Sequence, residues 1–261
     1  IEFEVAGTVL AASSQSLHDG SVVVALFDVT HLRGLESMRR DFVANVSHEL
    51  KTPLTTILGF SETLATEDLS PALAKDFAER IASNATRMQR LVEGLLDLAR
   101  IESGAWTPRH AVVHANSAMR DVADSYAHRA AIRGVRIELS IEGPDDALSA
   151  DPVAVNQVLA NLVENAIRHT AEGGEVRVFF ERESRGVWLR VRDTGVGIAA
   201  EHVPRIFERF YRVDHDRGRD TGGTGLGLAI VKHLAEAHGG RVTAESTVGQ
   251  GTTISAYFPG P

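Results

Sequence analysis

Apolar side chains recur at intervals of three and four through most of the first hundred residues, then give way to shorter, alternating runs. Leu32, Leu35, Met38, Phe42, Val46 and Leu50 form one helical stripe, continued by Leu54, Ile57, Leu58 and Leu64. This spacing predicts a helix of about 35 residues, roughly 50 Å long at 1.5 Å per residue. A sustained seam of that length calls for a partner. Pro53 interrupts the stripe; its missing N–H and its clash with the Glu49 carbonyl predict a kink. Ser70-Pro71 then supplies a helix N-cap and a first-turn proline. The stripe Leu73, Phe77, Ile81, Met88, Leu91, Leu95 and Leu98 carries a second helix to Ser103, closed by Gly104. Two helices joined by a short loop predict an antiparallel hairpin, and dimerisation into a four-helix bundle would bury both faces.

Ahead of the helices, residues 1–30 read as β structure. Ile1–Val9 alternates in part, Ser21–Val29 is a β-branched run, and His18-Asp19-Gly20 makes a turn between them. So short a hairpin cannot bury a core alone, so it is expected to be the remnant of a truncated domain or a cap on the helices after it. Beyond a linker at 104–110, which contains Pro108, helices and strands mix. Asn116–Arg133 reads as helix, Val135–Ile141 as strand, and Asp151-Pro152 opens a helix to about Thr170. Glu175–Arg182 and Val187–Arg192 form a hairpin, Gly225 to His238 a helix, and Arg241–Ser246 and Thr252–Phe258 the last strands. Because these do not alternate as βαβ units, the expected class is an α+β sandwich joined to the helical hairpin.

Composition narrows the function. There is no cysteine, which excludes a disulfide scaffold, a zinc-thiolate site and a thiol nucleophile. A net charge of −8 argues against nucleic acid as a partner. No apolar run reaches the ~18–20 residues of a membrane span. Fifteen of the 23 glycines fall in residues 161–261, clustered at 195–197 and 222–227, so the ligand chemistry is sought there.

Four polar segments stand out. On the first helix, His48 and Glu49 interrupt an apolar pattern, with Thr52 one turn on. A neutral imidazole is a capable nucleophile that a neighbouring carboxylate can activate, although His-Glu alone reads more simply as a solvated face. A zinc site fails, since H-E-x-x-H would need histidine where Thr52 stands. Asn161 and Asn165 share a helical face with Arg168 and His169 nearby, and amide oxygens suit Mg²⁺. Asp193-Thr-Gly195-Val-Gly197 follows a strand; its glycines admit a flat ligand and its carboxylate can accept from an exocyclic amine. Gly195-x-Gly197-x-x-Ala200 also matches a loose dinucleotide fingerprint, but the preceding strand belongs to a hairpin and Pro204 forbids the required helix. Gly222-Gly223-Thr224-Gly225-Leu226-Gly227 runs into a helix start, a place suited to anions, preceded by Arg209, Arg212, Arg217 and Arg219.

In order and spacing these segments resemble the H, N, G1 and G2 boxes of bacterial sensor histidine kinases, at Phe42–Leu54, Asn161–His169, Asp193–Gly197 and Gly223–Gly227. Ile206–Arg212 resembles the phenylalanine-rich box between the last two. Phe27–Thr30 and the charged run after it resemble the exit from a PAS sensor domain, with wording close to that of the phosphate-regulon sensors. The resemblance implies four parts: a PAS remnant at 1–30, a dimerisation and phosphotransfer hairpin at 31–103, a linker at 104–110 and a GHKL-type ATP-binding domain at 111–261. It implies His48 as the phosphorylated nucleophile, Glu49 as its activating carboxylate and Thr52 as a residue that positions water. Asn165 would ligate Mg²⁺, supported by Asn161; Arg168 and His169 would face the phosphates of ATP. Asp193 would read adenine, with Gly195 and Gly197 beneath the base. Gly223, Thr224, Gly225, Leu226 and Gly227 would form the lid. His169 departs from the aromatic residue common at its position. The implied protein is a homodimer that phosphorylates the receiver domain of a response regulator. It would be the cytoplasmic part of a longer, membrane-anchored chain. A GHKL ATPase machine lacks the H box, and a silent or phosphatase-dominant scaffold would show eroded nucleotide boxes.

Overall fold

The structure, a computed structural model, describes residues 1–19, 21–104, 106–140, 146–213 and 223–260. Gly20, Ile141, Arg217, Arg219 and Gly222 lie outside the described residues, as do the side chains of Leu35 and Met38. The chain divides into two compact units, Ile1–Asp68 and Leu69–Pro261.

The first unit opens with a three-stranded antiparallel sheet of β1 (Glu2–Val5), β2 (Thr8–Ser16) and β3 (Val22–Asp28) in the order β1-β2-β3. The expected single strand Ile1–Val9 is therefore two strands. They are broken at Ala6-Gly7, where both residues have positive φ (50° and 81°), as a tight hairpin turn requires. The sheet runs directly into helix α1 (Thr30–Thr66). Thr30 Oγ1 accepts from Val9 N at 2.8 Å, and Arg33 pairs with Glu2 of β1 and with Glu36. Helix α1 spans 37 residues and is continuous through Pro53, where the Glu49 carbonyl loses its helical donor. Hydroxyls bond back one turn, with Thr52 donating to the His48 carbonyl at 3.2 Å and Thr56 to that of Thr52 at 3.1 Å.

The second unit begins with α2 (Pro71–Glu102). The Ser70 hydroxyl accepts from Leu73 N, and Gly104, at φ +68°, ends the helix as expected. There follow β4 (Ala111–His114), α3 (Ala115–Ile132), β5 (Arg136–Ser140), β6 (Ala147–Ala150) and α4 (Pro152–His169). The antiparallel hairpin β7 (Glu175–Glu183) and β8 (Gly186–Asp193) comes next. A single 3₁₀ turn at Val203–Arg205 leads to α5 (Gly227–Ala237), and β9 (Arg241–Thr247) and β10 (Gly251–Pro259) finish the chain. The main sheet has the order β5-β7-β8-β10-β9, with β5 parallel to β7 and the rest antiparallel; β4 pairs with β6 in a small second sheet.

Helices α3, α4 and α5 pack side by side over this sheet. The stripe of α4 (Val155, Val158, Leu159, Leu162 and Ile167) is buried along with the inward residues Val176, Val178, Leu189, Val191, Ile254 and Phe258 of the strands. The start of α4 is pinned by Asp151, whose Oδ1 accepts from Val153 N and Ala154 N and whose Oδ2 accepts from Arg109 N at 3.0 Å. Burial works against this carboxylate, but the three backbone donors outweigh it and lower its pKa. With its N-terminus fixed, α4 carries its outer face to the edge of a cavity.

Candidate functional site

A cavity of about 530 Å³ opens in the second unit between α4, the start of α5, the end of β8 and the C-terminal half of α2. Asn161, Asn165, Arg168, His169, Asp193, Gly197, Gly223, Thr224, Gly225, Leu226 and Gly227 all line it. Gly195 stands just behind the wall. A Cβ there would lie 2.3 Å from the His169 carbonyl oxygen and 2.7 Å from Asp193 Oδ1, so the position admits only glycine. His48, Glu49 and Thr52 lie on α1 in the other unit; the His48 and Thr52 side chains are exposed.

Asp193 sits at the end of β8 and is 5% exposed. Its Oδ1 accepts from Gly195 N at 2.8 Å and Thr252 N at 3.2 Å, leaving Oδ2 for a ligand. Burial raises its pKa, countered by the two backbone donors. The result is a desolvated acceptor held at a fixed angle, beside backbone that Gly195 and Gly197 allow to come close. Gly197 (φ +69°) rests on Thr247, where a Cβ would meet the carbonyl oxygen at 2.1 Å.

Cationic and amide groups also stand along the wall. Asn161 Nδ2 donates to the Gln157 carbonyl, which turns its Oδ1 toward Gly227 at the start of α5. Arg168 lies against Gly223: a Cβ on that glycine would fall 2.5 Å from Nη1. Arg168 Nε is buried and has no hydrogen-bond partner among the described residues, an orphaned donor beside the cavity. His169 stands at the rim with its pKa lowered, first by desolvation and then by Arg168, Arg212 and Arg133. The glycine-rich segment is knitted to the aromatic segment before it. Phe210 N donates to Gly225 O at 2.9 Å and Arg212 Nη1 reaches Gly223 O at 3.4 Å. Phe210 and Gly225 both take positive φ (62° and 69°) to make that contact. Among the described residues no group of three or more His, Cys, Asp or Glu side chains could hold a metal by itself. Antiparallel β7–β8 and the absence of a helix directly after Gly197 also dispose of the dinucleotide fingerprint.

Two family models match the chain. Residues 38–104 match the His Kinase A (phospho-acceptor) domain, and residues 150–261 match the histidine kinase-, DNA gyrase B- and HSP90-like ATPase domain. The chain carries, in this order, the phospho-acceptor and ATPase domains of the histidine kinases. Among curated relatives, the phosphate regulon sensor protein PhoR of Pseudomonas aeruginosa is 40% identical over 233 residues, covering 88% of this chain and 52% of that protein. The sensor histidine kinase WalK of Bacillus subtilis is 37% identical over 251 residues, 92% of this chain and 40% of that one. The chain thus spans about half, or less, of the length of these relatives. The solved structure of full-length ShkA in complex with AMPPNP aligns with a TM-score of 0.63 and 31% identity over 84% of this chain and 45% of that chain. The histidine kinase ThkA, solved in complex with the response regulator protein TrrA, shares the fold at TM-score 0.70 and 22% identity, over 100% of this chain and 78% of that one.

The motifs of this kinase family located the glycine and asparagine walls but missed the wall built by α2. Arg90, Glu93, Gly94 and Asp97 line the cavity, and Asp97 Oδ2 accepts from Gln157 Nε2 at 2.7 Å. Gly94 lets α2 approach α5, with Leu226 Cδ1 3.3 Å from where a Cβ would be. Glu102 pairs with Arg209 and lies 3.3 Å from His233 Nε2. The buried stripe Leu91, Gly94 and Leu98 was the available signal, but periodicity announces a buried face without saying what covers it.

Proposed function

We propose that this chain is the kinase core of a two-component sensor: it binds Mg-ATP, phosphorylates its own His48, and passes the phosphoryl group to an aspartate of a response-regulator receiver domain. One observation supports the reading above others. A cavity lined by Arg168, Arg212, Asn161, Asn165 and the buried carboxylate of Asp193 shares a chain with a helix that exposes His48 beside Glu49. In this reading Asp193 Oδ2 accepts from the adenine amine, and Arg168 and His169 face the phosphates. Asn165 offers its amide oxygen to Mg²⁺, with Asn161 in support. The metal, when bound, spreads the charge of the β- and γ-phosphates. A neutral imidazole nitrogen of His48 attacks the γ-phosphorus while the bond to the bridging oxygen of ADP breaks; Glu49 takes the imidazole proton. The receiver carboxylate later displaces the histidine nitrogen from the same phosphorus. Thr52 would orient a water for hydrolysis of the receiver phosphate, making the protein a phosphatase as well.

The reaction requires His48 to reach the cavity, a role suited to a linker at 104–110 between a hairpin at 31–103 and a nucleotide domain at 111–261. We infer further that the hairpin dimerises, that residues 1–30 are the end of a sensor domain, and that the whole protein is anchored to the membrane. No helix among the described residues is long and apolar enough to cross a membrane. The test is a transfer assay with γ-labelled ATP, Mg²⁺ and a panel of receiver domains. Label should reach the chain first and one receiver second, and His48→Ala should abolish both while ATP binding persists. ATP consumption with label on neither protein would refute the reading.

A further inference from the structure

Glu164 stands between Asn161 and Asn165, which the nucleotide reading uses, and has no part in that reading. Its position on the outer face of α4 suggests a solvated charge, yet it is the hub of a network. Oε1 accepts from Arg168 Nη2 at 2.9 Å and from Arg129 Nη1 of α3 at 3.0 Å, and Oε2 accepts from the Tyr126 hydroxyl at 3.4 Å. The Arg168 side chain is only 16% exposed, and Arg133 Nη1 holds the Arg168 carbonyl at 3.0 Å. Arg168 is therefore fixed at its backbone and at one terminal nitrogen. Its other terminal nitrogen lies against the Gly223 backbone, and its Nε stays buried without a partner among the described residues. An arginine side chain free to move would take its guanidinium to water. A fork locked on one edge presents the remaining donors in one direction.

We propose that Glu164 is a positioning residue: it locks the Arg168 guanidinium in the pose that faces the nucleotide phosphates under the Gly223 backbone, with Arg129 and Tyr126 holding the carboxylate in turn. The proposal rests on the ATP reading of the cavity. It makes a prediction opposite in sign to simple electrostatics. Glu164 is a negative charge beside a polyphosphate site, so removing it should tighten ATP binding if charge alone matters. If Glu164 positions Arg168, removal should weaken it.

The experiment measures affinity for Mg-ATP and for adenosine in the wild type, Glu164→Gln, Arg168→Ala and the double variant. Glutamine keeps the length and shape of the side chain. Unchanged adenosine affinity reports an intact fold and base pocket. Loss of a charge-assisted hydrogen bond predicts that Glu164→Gln weakens ATP binding about 10-fold with adenosine unchanged. The double variant should be no weaker than Arg168→Ala alone, because the two act through one guanidinium. ATP affinity unchanged or increased in Glu164→Gln, or additive losses in the double variant, would overturn the proposal. A wild type that binds no ATP would remove the nucleotide reading, and the proposal with it.

Discussion

Asp193→Asn separates stability from nucleotide recognition. The wild-type carboxylate accepts from two backbone amides at Oδ1, at 2.8 and 3.2 Å, and in the proposed reading uses Oδ2 for adenine. An asparagine can satisfy both amides only with its carbonyl oxygen in the Oδ1 place, since the flipped amide would set donor against donor. That choice puts the NH₂ group where Oδ2 was. Against the exocyclic amine of adenine it offers a donor to a donor, so a hydrogen bond to a charged acceptor is lost. Such bonds contribute about 1.5–3 kcal/mol, or roughly a 10- to 150-fold rise in Kd for ATP. Guanine carries a carbonyl oxygen at that edge, so the preference for ATP over GTP should fall by at least as much. Stability should move the other way. Burial raises the Asp193 pKa, so the folded state disfavours the ionised form, and a neutral isostere should leave the melting temperature unchanged or slightly higher. Titration calorimetry with both nucleotides and a thermal melt on the same sample measure all three. An ATP affinity within about 2-fold of wild type, in a protein that melts normally, would refute the assignment of Asp193 to the base.

Gly195→Ala should abolish ATP binding and cost about 1–3 kcal/mol in urea unfolding, because the added methyl meets the His169 backbone at 2.3 Å; normal binding would show that the segment relaxes freely. His238 is buried and neutral, with Nδ1 donating to Leu234 O at 2.7 Å and Nε2 accepting from Asp151 N at 3.1 Å, among Trp106, His110 and Phe258. Its pKa is lowered, chiefly by desolvation. Its contribution to stability is therefore complete above about pH 6.5, the unfolded value, and is lost as pH falls toward the depressed folded value. Urea unfolding at stepped pH, followed by tryptophan fluorescence, should show this loss between pH 7 and 5 and a shallower loss in His238→Gln; equal slopes would count against it.

Much of this was readable in the chain because the deciding signals are local. Ser70-Pro71 and Asp151-Pro152 start their helices where cap chemistry demands, and Gly104 and Gly134 take the positive φ that ends α2 and α3. The cavity's glycine and amide lining was readable because those residues fall in short runs. What escaped depends on contacts distant in sequence. Strands β4 and β6 are four residues each and exist only through their mutual pairing. The turn at Ala6-Gly7 puts an alanine at φ 50°, which no turn propensity announces. Leu91, Gly94 and Leu98 look like a bundle seam until α5 is seen beside Gly94. Glu164 looks like a surface charge until Arg129 and Tyr126 arrive from another helix.

In the proposed reaction the γ-phosphoryl group of ATP comes to rest on one imidazole. The most direct measurement is mass-spectrometric mapping of the chain after incubation with Mg-ATP, kept at alkaline pH, at which phosphohistidine survives. The predicted result is a single phosphorylated peptide containing His48, lost on brief acid treatment and absent from His48→Ala. An acid-stable phosphate on serine or threonine, or label that persists in His48→Ala, would contradict it.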